Sequence, residues 1–322
     1  MDQHYIFSGT LTSEMVEYLK AIPEFEPIDV LVSQVDRSGV NQMLKYKAEG
    51  VAKSFFLDSG AFSFHKSGVA VDVDDYIAYA NSLDEHTMAV AQLDTIPGSL
   101  GKEKTPEDYV KSAQKSWENF LYMYPRMKSK EKLIPVFHYG EDFSALRRML
   151  EWRDDDGNPL TYIGISPAND TAQTTKNRYM KNVYDIIAQS SNPNVRTHLF
   201  GMTSLDALRK FPYYSADSIS HRLRSAYNKI YTRKWGTISL SDKSRTVKSR
   251  SNMSFLRTCD SATYAEFEEL AKHYGFTIDQ LRESSAARVA FDIVETQLAV
   301  NNEYAYKPEN EGKTTKRLFN LN

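Results

Sequence analysis

A chain of 322 residues with 41% hydrophobic and 25% charged residues sits near the globular average, long enough for one α/β barrel with a full core. Lys and Arg number 40 against 42 Asp and Glu, and the net charge of −2 excludes a polycationic nucleic-acid binder of the generic kind. The single cysteine, Cys259, excludes an intramolecular disulfide framework and a cysteine-rich zinc site.

Nothing near 18 consecutive apolar residues occurs, and Met1–Gly9 lacks the basic-then-apolar layout of a signal peptide. The expectation is a cytoplasmic protein (host cytoplasm if viral) with no membrane partner. Apolar or β-branched runs predict strands near Tyr5–Ser8, Val30–Gln34, Ser54–Asp58, Met88–Asp94, Leu133–His138, Tyr162–Ser166, Thr197–Met202 and Tyr214–Ser218. The spacers suit crossover helices. Thr105-Pro106-Glu107-Asp108 supplies a cap, a first-turn proline and acids ahead of Tyr109–Met123, and Thr203-Ser204-Leu205-Asp206 does similar work before Ala207–Phe211.

Eight strand–helix alternations predict a (β/α)8 TIM barrel, expected over 1–260, with C-terminal helices and a polar tail over 261–322. An open doubly wound sheet is the other α/β solution, and no Gly-rich dinucleotide turn follows the first strand. Thr95–Lys104, with Pro97, Gly98 and Gly101, reads as a loop after a strand and hence a lid; Arg153–Leu160 reads as a solvated turn. In the C-terminal part, Phe267–Tyr274, Gly275 and Thr277–Ala286 have the look of a helix–turn–helix, with Ala271 and Gly275 four apart; the plainer reading is a packed helical hairpin closing the barrel, with Thr277 and Gln280 as a capping box. Lys307–Arg317 reads as a tail.

Three of the strands run straight into aspartate. Phe55-Phe56-Leu57 leads to Asp58, Val90-Ala91-Gln92-Leu93 to Asp94, and Tyr213-Tyr214-Ser215-Ala216 to Asp217. A carboxylate at the C-terminal end of a barrel strand points into the site that the βα-loops assemble. Each alone is equally a helix cap or turn former. Three together point to an active site.

Asp58-Ser59-Gly60-Ala61-Phe62 resembles the Asp-Ser-Gly-Gly-aromatic signature of the tRNA-guanine transglycosylase superfamily. Further resemblance lies in Pro135-Val136-Phe137-His138-Tyr139-Gly140, in Tyr162-Ile163-Gly164-Ile165, in His198-Leu199-Phe200-Gly201-Met202-Thr203 and in Ala216-Asp217-Ser218. These span Phe55 to Tyr231, roughly half the chain. Ala61 stands at the family's second glycine, a glutamine–glycine pair is replaced around His138–Gly140, and the family's zinc cluster is absent. In these departures the chain is most similar to the phage DpdA-type DNA transglycosylases.

The resemblance implies exchange of guanine in DNA for a free 7-deazaguanine base, with no cofactor and no metal; a tRNA substrate is the alternative. It implies Asp217 as nucleophile on the anomeric carbon and Asp58 as the acid–base, as paired carboxylates serve glycoside chemistry. It implies that Asp94 accepts from the guanine N–H edge. Ser59, Gly60, Phe62, His138, Gly140, Gly164, Phe200 and Gly201 fall on base-binding positions. Phe62 and Phe200 are otherwise plain barrel core.

From His221 to Arg250, nine basic residues face one acid, Asp242, with Tyr227, Tyr231 and Trp235 interleaved. A solvated basic face is the plain explanation. Because the run starts four residues after Asp217, it also fits a phosphate clamp, with Arg222, Arg224, Lys229, Arg233 and Lys234 as the contacts. Two other classes remain open: a metal-dependent hydrolase using His4, His65 or His138, and a catalytically silent barrel that only binds nucleic acid.

Overall fold

The computed structural model describes residues 3–67, 71–98, 103–167, 171–202, 204–240 and 254–302, with the side chains of 62, 66, 67, 206 and 302 not described. Its strands are β1 (His4–Ser8), β2 (Ile28–Ser33), β3 (Ala52–Asp58), β4 (Thr87–Ala91), β5 (Leu133–Ile134), β6 (Val136–His138), β7 (Tyr162–Ser166), β8 (Arg196–Leu199), β9 (Ser215–Ser218), β10 (Lys229–Thr232) and β11 (Gly236–Ser239). The helices between them are α1 (Ser13–Ala21), α2 (Arg37–Ala48), α3 (Ala61–Ser67), α4 (Val73–Ser82), α5 (Pro106–Met123), α6 (Phe143–Glu151), α7 (Gln173–Ala188), α8 (Leu205–Leu208) and α9 (Ser220–Ala226). After β11 follow α10 (Phe255–Thr258), α11 (Ser261–His273), α12 (Ile278–Glu283) and α13 (Ser285–Asn302).

The main sheet has the hydrogen-bonded order β5-β4-β3-β2-β1-β9-β8-β7-β6. Its two end strands are separated in the chain by Pro135 alone, which has no amide hydrogen and therefore breaks one ladder. Ile134 O accepts from Gln92 N on one side and Pro135 O accepts from Gly164 N on the other. The order thus returns to its start through one interrupted strand. Eight strand positions with alternating helices make this an α/β barrel of the TIM type.

Two compact units make up the chain. The first comprises 3–4 and 56–217 among the described residues. Its parallel strands carry Phe56, Leu57, Ala89, Ile134, Phe137, Ile163, Ile165 and Leu199, all essentially inaccessible to solvent. Parallel strands covered on both faces need such unbroken apolar runs, which is why the runs were legible. The α5 start has the expected form: Thr105 and Asp108 form a complete capping box, with Pro106 in the first turn.

The second unit comprises 5–55, 218–240 and 254–302 among the described residues. The helix α13 is its spine, with Ala287, Ala290, Phe291, Ile293 and Val294 buried, and it packs on α1, α9, α12 and β10. Thus α11–α13 cluster with residues 5–55 in this unit. The helical hairpin is present with its Thr277–Gln280 capping box, and Gly275 turns the chain at φ +79°. The antiparallel hairpin β10–β11 was not foreseen, because its strands lie inside the basic run. No helix among the described residues is long and apolar enough to cross a membrane.

Candidate active site

All three aspartates lie in the first unit. Asp58 ends β3, and Gly60 N–H donates to its Oδ2 at 2.9 Å. That turn needs Gly60 at φ +70°, a region costly for other residues, and it delivers the chain into α3 at Ala61. Ser59 is buried, its Oγ 3.4 Å from Ala61 N. The side chain of Phe62 lies outside the described residues.

Asp94 sits three residues beyond β4 rather than on it. Gln92 Nε2 donates to its Oδ1 at 2.9 Å, and His138 Nε2 lies 3.3 Å from its Oδ2. The other ring nitrogen of His138, Nδ1, is 3.0 Å from Glu141 Oε1. Burial alone would lower the basicity of this imidazole. The carboxylates of Asp94 and Glu141 on its two sides outweigh burial and push it up to about 10. His138 is therefore an imidazolium at neutral pH, donating from both nitrogens. Tyr76, whose hydroxyl donates to Ala91 O at 2.8 Å, is held well above the usual phenol range by burial and then by the charges of Asp58 and Asp94. Both carboxylates therefore act on one buried hydroxyl. A cleft of about 490 Å³ opens at Asp94, lined by Phe64, His65, Leu93, Ile96 and Lys115 among others.

Asp217 is buried near the end of β9. Gly201 N–H donates to its Oδ1 at 2.8 Å, and Gly201 takes φ +62° to present that amide. His198 Nε2 lies 3.3 Å from the same oxygen, outside ideal hydrogen-bond geometry. His198 Nδ1 is 2.6 Å from Ser215 Oγ, which in turn hydrogen-bonds the Tyr162 hydroxyl. Burial pushes His198 below its ordinary value despite the pull of Asp217, so the ring is neutral. A carboxylate only accepts, so the single ring proton belongs on Nε2, and Nδ1 accepts from the Ser215 hydroxyl. Tyr162, Ser215 and His198 thus form one polar file ending at Asp217.

The rings tie this file to β3. His198 stacks on Phe56 with centroids 4.2 Å apart, and Phe56 shares a strand face with Asp58 two residues on. Phe200 packs edge-on to both rings. It also takes the space beside Gly164, where an added Cβ would lie 2.6 Å from the Phe200 ring. Gly164 therefore makes room for Phe200, where the resemblance has it admitting a base. Gly140, at φ +96°, lies against the Tyr109 ring in the same way.

Five polar residues of the site were given no role in the sequence reading: Gln92, Glu141, Tyr162, His198 and Ser215. Only Ser215 carries a signal in the sequence, because it stands two residues before Asp217 and so shares its strand face; His198 is joined to it by the β8–β9 register. Among the described residues no three His, Cys, Asp or Glu side chains are placed to hold a metal ion. Of the lid Thr95–Lys104, residues 99–102 lie outside the described ones, and Thr95 N donates to Ser116 Oγ at 2.8 Å.

The described part of the basic run, 221–240, belongs to the second unit, and most of its charge is spent internally. Arg224 donates to the buried Asp292 from Nε at 2.7 Å and from Nη2 at 2.5 Å. Arg233 pairs with the buried Glu295 at 3.3 Å, and Lys234 with Glu266 at 2.6 Å. These three side chains have structural partners where the sequence reading has phosphates. Arg222 and Lys229 have no carboxylate partner among the described residues, and 241–250 lie outside them. No family model matches the chain, and no curated protein matches it.

Proposed function

We propose that the protein is a base-exchanging transglycosylase that replaces guanine in DNA by a free 7-deazaguanine through a covalent Asp217–sugar intermediate. The observation that carries this reading is the different surroundings of three carboxylates, Asp58 and Asp217 on strands β3 and β9 and Asp94 in the loop after β4. Asp217 is oriented by the Gly201 amide and His198. Asp94 is clamped by Gln92 and His138. Asp58 ends β3, and its charge acts on the same Tyr76 hydroxyl as that of Asp94.

In the first half-reaction an Asp217 oxygen attacks C1′ and the C1′–N9 bond breaks, its electron pair leaving with guanine. The Asp58 carboxyl supplies the proton that the leaving base takes up. In the second half the Asp58 carboxylate removes the ring proton of the incoming 7-deazaguanine. That nitrogen attacks C1′, and the ester bond to Asp217 breaks to restore the carboxylate. Paired carboxylates serve the same oxocarbenium-like centre in glycoside chemistry. Asp94 accepts from the purine N–H edge, and the His138 imidazolium beside it keeps that carboxylate in one orientation.

The polymer is proposed as DNA and the alternative is tRNA; the resemblance favours DNA, and both are polyanions. The test is nucleoside mass spectrometry after incubating each polymer at matched salt with candidate 7-deazaguanines. The proposal expects a 7-deaza-2′-deoxyguanosine in DNA. Exchange in tRNA alone would give the polymer to RNA, and exchange in neither would end the reading.

A further inference from the structure

Glu141 is a buried carboxylate of the first unit to which the proposed exchange gives no part. Its side chain is only 3% exposed, with Oε1 3.0 Å from His138 Nδ1. A tight turn after β6 puts it there: Glu141 N–H donates to His138 O at 3.2 Å, and Gly140, at the third position, takes φ +96°. The side chain thus folds back onto the ring three residues earlier, and Asp94, His138 and Glu141 stand in a row with the imidazole in the middle. The charge of Glu141 also acts on the buried Tyr179 of α7, as Tyr139 does, and that of Asp94 on Tyr76. Glu141 Oε2 and the Tyr179 hydroxyl are both buried without a hydrogen-bond partner. One carboxylate is enough to pair an imidazolium, and a second, buried with an oxygen unsatisfied, costs stability.

We propose that Glu141 is a positioning residue: by keeping the shared proton on His138 it holds Asp94 as a hydrogen-bond acceptor only, and so selects a guanine-type edge. A buried imidazolium–carboxylate pair standing alone can discharge itself by passing its proton to the carboxylate, because two neutral groups need less solvation than two charges. Asp94 would then carry an O–H and could donate to a purine whose N1 is bare. With Glu141 on the other ring nitrogen, that transfer would leave a buried carboxylate beside a neutral ring, so the proton stays on His138. Gln92 Nε2 donates to Asp94 at 2.9 Å, which matches the same acceptor form. The inference rests on the proposed role of Asp94 at the purine edge.

The experiment compares the full chain as wild type, Glu141→Gln and Glu141→Asp at neutral pH with two incoming bases, 7-deazaguanine and 7-deaza-2,6-diaminopurine. The first carries a proton on N1 and the second does not. Preference is read as the ratio of dissociation constants of the free bases and as the ratio of exchange kcat/KM, and the His138 ring is read by nitrogen NMR. Wild type is expected to hold protons on both ring nitrogens and to prefer 7-deazaguanine. Glu141→Gln is expected to lose one ring proton and at least about tenfold of the preference, since a hydrogen bond to a charged group is worth that factor or more. Glu141→Asp, which keeps the charge, is expected to retain more of it. A preference unchanged within about twofold in Glu141→Gln, or an equal loss in both variants, overturns the inference. So does a wild-type ring with a single proton, a result that stands even if neither variant folds. Preference that depends on Glu141 without exchange in any polymer would uphold this residue and sink the transglycosylase reading. Exchange with the preference unmoved would sink the inference alone.

Discussion

Asp217 takes its orientation from an amide and an imidazole, and the imidazole takes its tautomer from Ser215 and Tyr162. Two substitutions separate the donor from the ring. His198→Phe keeps the stack on Phe56 but removes the N–H, whereas His198→Gln keeps an N–H donor. At 3.3 Å and outside ideal geometry the Nε2–H contact to Asp217 is worth less than a well-formed charged hydrogen bond of about 1.5–3 kcal/mol, so single-turnover exchange should fall by up to about tenfold in His198→Phe. His198→Gln should recover part of that rate, and equal rates for the two would reduce His198 to core packing. Asp94→Asn removes the carboxylate that, with Glu141, keeps His138 protonated. Titration of the imidazole by NMR should then find His138 well below about 10, closer to its ordinary 6.5. Exchange should fall at least about tenfold, because the amide offers a donor to a purine edge that also donates. An Asp94→Asn protein with wild-type turnover would make Asp94 a loop former only.

At the scale of elements, α9 and β10 divide the basic run into two kinds of cation. Removing one partner of a buried ion pair leaves the other charge stranded, so Arg224→Ala should destabilise folding by about 3–5 kcal/mol in urea titrations. Arg222→Ala should leave the urea midpoint nearly unchanged and reduce the logarithmic salt slope of DNA binding by about 0.7–0.9. The reverse pattern would make Arg224 the phosphate contact. Net charge along a segment cannot reveal this division, because the acids that absorb Arg224, Arg233 and Lys234 lie on α11 and α13, between 32 and 68 residues away. Strand ends were more legible. Asp58 follows the apolar run Phe55-Phe56-Leu57 and ends β3, and Asp217 follows Tyr213-Tyr214-Ser215-Ala216 one residue before the end of β9. Asp94 lies three residues past β4, because the ladder ends at Ala91 while the apolar pattern runs on to Leu93. The roles of His198 and Ser215 needed the β8–β9 register, which no single strand shows.

For the molecule as a whole, eight apolar runs separated by helix-length spacers were enough to give the barrel class, since parallel strands buried on both faces leave that trace. What stayed hidden was long-range: the pairing of α13 with α1, and the polar file behind Asp217. The half-buried His138 and the buried His221 also contribute to the pH response of folding. His138 is raised from 6.5 to about 10, so the folded protein keeps a proton that the unfolded chain releases; this stabilisation is full below pH 6.5 and lost as pH climbs through about 10. His221 is pushed down to about 3 by burial and then by Arg224 and Arg222, so the unfolded chain binds a proton that the folded protein refuses. Stability from that site falls as pH drops from 6.5 toward 3. The urea midpoint should accordingly decline on both sides, and His138→Gln should flatten the alkaline limb alone. An alkaline limb unchanged by that substitution would mean that His138 is not held as the cation. The most direct test of the central claim is intact-mass analysis of the denatured protein after incubation with a guanine-containing oligodeoxynucleotide. Wild type should carry a covalent oligonucleotide lacking one guanine, and Asp217→Asn, with an unchanged circular dichroism spectrum, should carry none. An adduct of the same mass and yield on Asp217→Asn would contradict the account.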